Sequence, residues 1–110
     1  MNDTVRQVAG DINIPASNTA AAVTLAAGGD GQGHVIGQVV YSYNAAITGG
    51  RLTITDGGTT IFDIDVTITG QNNLIFDPPL RALPNSAVVI TLAAGGVAVS
   101  GKLNVRHWKA

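Results

Sequence analysis

The chain has 110 residues, 45% of them hydrophobic and 12% charged, with a formal net charge of −1, fourteen glycines and no cysteine. That length suits one domain with its own core, and a charge so near zero excludes general electrostatic attraction to nucleic acid or to an anionic membrane. Without cysteine there is no disulfide framework and no thiolate metal site.

Every acidic residue is Asp and none is Glu. Losing a strong helix former while gaining Gly, Asp, Asn and Thr favours strands and turns. The expectation is an all-β domain. No apolar run approaches the roughly 20 residues of a membrane span. Met1 to Val8 lacks the basic and then apolar regions of a signal peptide, so synthesis in a cytoplasm is expected. A surface so poor in charge points to partial cover in an assembly.

Residues 1–18 read as an N-terminal arm or edge strand with Val5, Val8, Ile12 and Ile14 spaced along it, ended by Pro15. Residues 19–110 read as the folded body. Ala20 to Ala27 is a strand, Gly28 to Gly33 a loop, and Val35 to Tyr43 the longest apolar strand, expected at the centre of a sheet. Asn44 to Gly50 turns the chain.

Arg51 to Asp56 alternates Leu52 and Ile54 with polar residues, and Asp56-Gly57-Gly58 supplies the positive φ angles of a hairpin turn. The return strand places Phe62, Ile64, Val66 and Ile68 on one face and Asp63, Asp65 and Thr67 on the other. Gly70 to Asn73 is expected to turn, and Leu74 to Phe76 to form a short edge strand stopped by Pro78-Pro79.

Ser86 to Leu92 and Val97 to Trp108 are expected to form a final hairpin across Ala93-Ala94-Gly95-Gly96. In its second strand Val97, Val99, Leu103 and Val105 face one way. Ser100, Lys102, Asn104, Arg106 and Trp108 face the other. An internal echo sets Val23-Thr-Leu-Ala-Ala-Gly-Gly29 against Ile90-Thr-Leu-Ala-Ala-Gly-Gly96, read as one hairpin solution used twice. Seven or eight strands with regular turns make a single-domain antiparallel β-sandwich, jelly-roll-like. Strand count alone does not settle the strand order.

Little in this chain supports catalysis. His34 and His107 are the only histidines, lie far apart and lack a third ligand at metal spacing, so they are read as surface or interface residues. Ser42, Ser86 and Ser100 sit in no nucleophile elbow. Asp63 and Asp65 share a strand face as a carboxylate pair would, but are read as the solvent side of an amphipathic strand. Asp30-Gly-Gln-Gly-His34 lacks the Lys-Ser/Thr of a phosphate loop and the acidic alternation of a calcium loop. No enzyme, cofactor or metal is expected.

Two aromatic groupings remain as contact candidates. Tyr41 and Tyr43 share a strand face and, with the Gly28–Gly33 loop, could form a platform for a ligand. Arg106 and Trp108 share a face beside Lys102, and Trp and Arg are favoured anchors at interfaces.

The segments Leu52-Thr-Ile-Thr-Asp-Gly-Gly-Thr-Thr-Ile61, Ile75-Phe-Asp-Pro-Pro-Leu-Arg-Ala82, Asn85-Ser-Ala-Val-Val-Ile-Thr-Leu92 and Val99-Ser-Gly-Lys-Leu-Asn-Val105, in that order, resemble small tailed-bacteriophage virion proteins. The resemblance spans about residues 35–106. It implies a β-sandwich building block of the capsid decoration (cement) type, clustered as homotrimers on the capsid exterior against the major capsid protein and made in the host cytoplasm.

No active site comes with the resemblance. Under this reading the contact residues are Thr4, Val5, Arg6 and Val8 of the arm with Lys102, Arg106, His107 and Trp108. The alternative is a glycan-binding module of a phage fibre or tail, using Tyr41 and Tyr43.

Overall fold

A computed structural model describes residues 11–109. They form eight strands and no helix: β1 (Asp11–Asn13), β2 (Ala21–Leu25), β3 (His34–Tyr43), β4 (Arg51–Asp56), β5 (Thr59–Asp65), β6 (Gly70–Arg81), β7 (Val88–Leu92) and β8 (Gly101–Lys109). All pairings are antiparallel, in two four-stranded sheets ordered β1-β8-β3-β6 and β2-β7-β4-β5. Apart from the β4–β5 hairpin, successive strands alternate between the sheets so that the chain rolls up. This is the order of a jelly roll, the expected class.

Alternation does the folding. Leu52 and Ile54 of β4, Val88, Ile90 and Leu92 of β7, and Ala21, Val23 and Leu25 of β2 turn inward against Ile36, Val39, Tyr41 and Tyr43 of β3 and Leu103 and Val105 of β8. The Asp56-Gly57-Gly58 hairpin forms as expected, with positive φ at both glycines. Asp56 holds the neighbouring corner: its carboxylate accepts from the Leu83 amide at 2.9 Å and from the Ser86 hydroxyl.

Several connections differ from the sequence reading. Ser86 to Trp108 is not a hairpin, because β7 and β8 lie in different sheets. Residues 93–100 cross between the sheets instead, and the strand begins at Gly101, leaving Val97 exposed. The echoed segments are themselves partners, with Val23 opposite Ile90, and each leads into a sheet-to-sheet crossing. Gly70 to Asn73 opens a twelve-residue edge strand rather than turning, and that strand continues past Pro78 and Pro79. The edge position is what tolerates the prolines. β5 ends at Asp65, so Ile68 stands exposed instead of facing inward.

The second crossing is locked around Tyr43. Its ring is buried and its hydroxyl donates to the Ala93 carbonyl; burial pushes the phenol's pKa up. Glycines crowd the ring. A Cβ at Gly95 would lie 2.8 Å from Tyr43 Cδ1 and 2.7 Å from Val99 Cγ1, and one at Gly50 would lie 3.3 Å from Tyr43 Cε2. Overpacking a close-packed interior forces backbone or ring to move. Gly95→Ala is therefore expected to lower unfolding free energy by about 1–3 kcal/mol, read from urea denaturation. A variant as stable as the parent would show that the ring is not clamped.

Candidate functional site

The two outer faces of the sandwich are chemically different. On the β2-β7-β4-β5 sheet, register brings Ala22, Thr91, Thr53 and Asp63 into one row and Arg51 and Asp65 into another pair. Asp63 and Asp65 are on the solvent side, as expected. Asp63 takes two hydrogen bonds from Arg51, one of them at 2.7 Å. The Arg51 guanidinium holds the Asp63 carboxyl below the usual carboxylate range.

The outer face of the β1-β8-β3-β6 sheet carries the cations. Its rows, about 4.8 Å apart from strand to strand, follow from the register of β8 and β6 on β3. Trp108 lies opposite Val35, which lies opposite Arg81; Arg106, Gln38 and Ile75 form the next row. Ile12, Asn104, Val40 and Asn73 follow, and then Lys102, Ser42 and Gln71. None of these paired positions holds a carboxylate. Gln38 donates to the Asn73 side-chain oxygen at 2.7 Å, which joins two of the rows.

Trp108 is 47% exposed and fixed from below. A Cβ on Gly37 would meet its Cζ3 at 2.7 Å and its Cη2 at 3.0 Å, so the far edge of the indole rests on that glycine. Val35 faces outward yet is only 1% exposed and stands apart from the core cluster; Trp108 is its register neighbour on β8. Gly37 is also where the β3 register slips on both sides, between Ile36 and Gln38. The slip keeps Ile36, Val39, Tyr41 and Tyr43 all inward although the first two are three residues apart and the others two.

The expected contact residues are thus partly brought together. Lys102, Arg106 and Trp108 share this face. His107 faces the opposite way, and its Nε2 pairs with the Asp11 carboxylate at 3.2 Å. Thr4, Val5, Arg6 and Val8 lie outside the described residues, which begin at Asp11 beside β8. Alternation already sets Asn104 on the face of Lys102 and Arg106, but Gln38 and Asn73 were not singled out from sequence. That they share this face depends on which strands pair, and no local signal carries that.

Two expectations are corrected. Tyr41 and Tyr43 are 6% and 1% exposed and belong to the core, so they form no platform. Their face is the inner one because Gly37 shifts the alternation. His34 is not a surface residue: it is 3% exposed, its Nε2 lies 2.6 Å from the Ala26 carbonyl oxygen, and its ring meets His107 edge-on at 6.2 Å between centroids. Folding brings the two histidines together, but the described residues contain no group of three metal-ligating side chains and no pocket.

No family model matches the chain, and neither does any curated protein. Among solved structures, a family 35 carbohydrate binding module from an environmental isolate is similar at 15% identity and a TM-score of 0.45, over 87% of this chain and 75% of that one. A likeness of that size says nothing about what this chain binds.

Gly37→Ala is expected to lift Trp108 off the sheet. Its fluorescence emission should move to the red and its quenching by acrylamide should rise. Unchanged emission and quenching would mean that the indole does not rest on the glycine.

Proposed function

We propose that the protein is a non-enzymatic structural component of a bacteriophage particle, a capsid decoration protein that seats through its β1 edge. The observation that carries this reading is the position of β1. Among the described residues β1 is a three-residue edge strand beside β8, and Ile12 within it and Ile14 just after it are exposed. A short strand at the edge of the described sheet with exposed isoleucines is a surface that a second chain can extend.

The motif resemblance over residues 35–106 supports a virion origin. The stiff two-sheet body supports a docking role, because little needs to be ordered when it binds. Weak contacts repeated around a symmetric shell add up through multivalency, and a closed homotrimer suits a symmetric capsid site. The major capsid protein is the partner under this reading.

A second reading, a glycan-binding module, is favoured by one specific feature, the half-exposed Trp108 fixed on Gly37 among side-chain amides. The jelly-roll architecture serves viral capsid and lectin domains alike, so the fold does not separate the two.

Capsids assembled without the protein should take up the purified chain to saturation. The double variant Ile12→Asp with Ile14→Asp is expected to cut occupancy at least tenfold while leaving the melting temperature within a few degrees, since both side chains are exposed. Saturation of the shell by that variant at parental concentrations would remove the β1 edge as the seat.

A further inference from the structure

We infer that the outer face of the β1-β8-β3-β6 sheet is a binding surface for an acidic glycan, a polysaccharide whose sugars carry carboxylates. This extends the second reading above to a ligand class and does not depend on attachment to a capsid.

Charge complementarity and the kind of polar groups present single out this ligand class. The net charge of −1 conceals a segregation. Arg81, Lys102 and Arg106 lie on this one face, whereas the described carboxylates other than Asp77 are elsewhere or already engaged. Asp63 and Asp65 are on the opposite face of the molecule, Asp56 is tied to Leu83 and Ser86, and Asp11 is on His107. Asp30 is in the β2–β3 loop, and Asp77 is exposed in the part of β6 between Ile75 and Leu80 that has no register partner on β3. Asp77 alternates with the inward Phe76 and is the one described carboxylate on the side of this face, on its edge strand. The ion pairs among the described residues are Arg51–Asp63 and His107–Asp11, and neither draws on the cations of this face.

Between those cations stand planar amides. Gln38 and Asn104 flank Arg106 across and along the strands, with Asn73 bound to Gln38. Amides offer a donor and an acceptor side by side, which matches vicinal sugar hydroxyls, and a guanidinium grips a carboxylate through paired hydrogen bonds. Trp108 adds a fixed apolar surface for the C–H face of a sugar ring, its entropy already lost to Gly37.

Single-stranded nucleic acid fits less well, because successive bases need successive aromatic platforms. Trp108 is the only aromatic residue in the paired rows. A globular protein partner would need an apolar centre. Here the centre holds the half-buried Val40 among Gln38, Asn104, Arg106 and Ser42, and the exposed aliphatics Ile12 and Ile75 lie on the edge strands β1 and β6.

Trp108 is the only tryptophan in the chain, so its fluorescence reports the site. The full-length protein would be titrated in solution with oligogalacturonate, dextran sulfate and neutral dextran. Saturable quenching or shift with oligogalacturonate, and none with dextran, is expected. Arg106→Ala and Lys102→Ala should each weaken binding about tenfold, the scale of one charge-assisted hydrogen bond. Trp108→Phe should retain binding in a pull-down where Trp108→Ala does not.

Silence with oligogalacturonate, or an equal response to dextran, would overturn the inference. Dextran sulfate binding as well as oligogalacturonate would do so too, by reducing the face to a generic ion exchanger. If Arg106→Ala emptied the capsid of the protein, the face would be turned toward the shell, which also contradicts it. Because the titration is done off the particle, failure of the decoration reading leaves its result unaffected.

Discussion

The register of β8 on β3 is the constraint on which the rest of this molecule depends. It runs from Lys109 opposite His34 to Gly101 opposite Tyr43 and slips once, at Gly37. In a strand, a shift of one residue sends every side chain to the other face. The residues of β3 ask for such a shift, since Ile36 and Val39 are three apart and both must face inward. One extra residue at a bulge satisfies both requirements, and a glycine there leaves room for the indole of Trp108. Core and outer face are consequences of the same slip. Val39, Tyr41 and Tyr43 close the interior, while Gln38, Arg106, Asn104 and Lys102 line up outside.

Most of the strands were legible because alternation is a local property. Leu52-Thr-Ile-Thr and Phe62-Asp-Ile-Asp announce half-buried strands, and Asp56-Gly57-Gly58 announces the turn between them. What could not be read was pairing. Ala93-Ala94-Gly95-Gly96 looks like hairpin chemistry, yet the same small residues serve a crossing in which Gly95 clears the ring of Tyr43. The choice depends on packing between residues distant in sequence. The tyrosine platform failed for a related reason: without the bulge, alternation does not say which face of β3 is buried. His34 and His107, separated by most of the chain, meet only because β3 and β8 are neighbours.

The candidate site was legible in part. Lys102, Arg106 and Trp108 share a face by simple alternation within one strand. Asn104 joins them by the same alternation, whereas Gln38 and Asn73 come from β3 and β6 and required the sheet order. The opposite face is threonine-rich and holds Asp63 and Asp65 with Arg51, so the sandwich is electrically two-sided despite its near-neutral total. A jelly roll offers no interior room among the described residues, and its contacts are made at edges and on faces. Two surfaces divide the work in this account. Under the proposals above the β1 edge, with Ile14 and with Ile12 at the margin of the amide rows, would seat the body. The cations and amides of β8, β3 and β6 would meet a ligand.

The most direct measurement is to map the ligand contact by NMR on uniformly ¹⁵N-labelled protein with added oligogalacturonate. The account predicts that the largest shifts fall on the side-chain amides of Gln38, Asn73 and Asn104 and on the indole N–H of Trp108, with Thr53 and Thr91 unmoved. Shifts centred on the β2-β7-β4-β5 face or on the loops, with those amides unchanged, would contradict it.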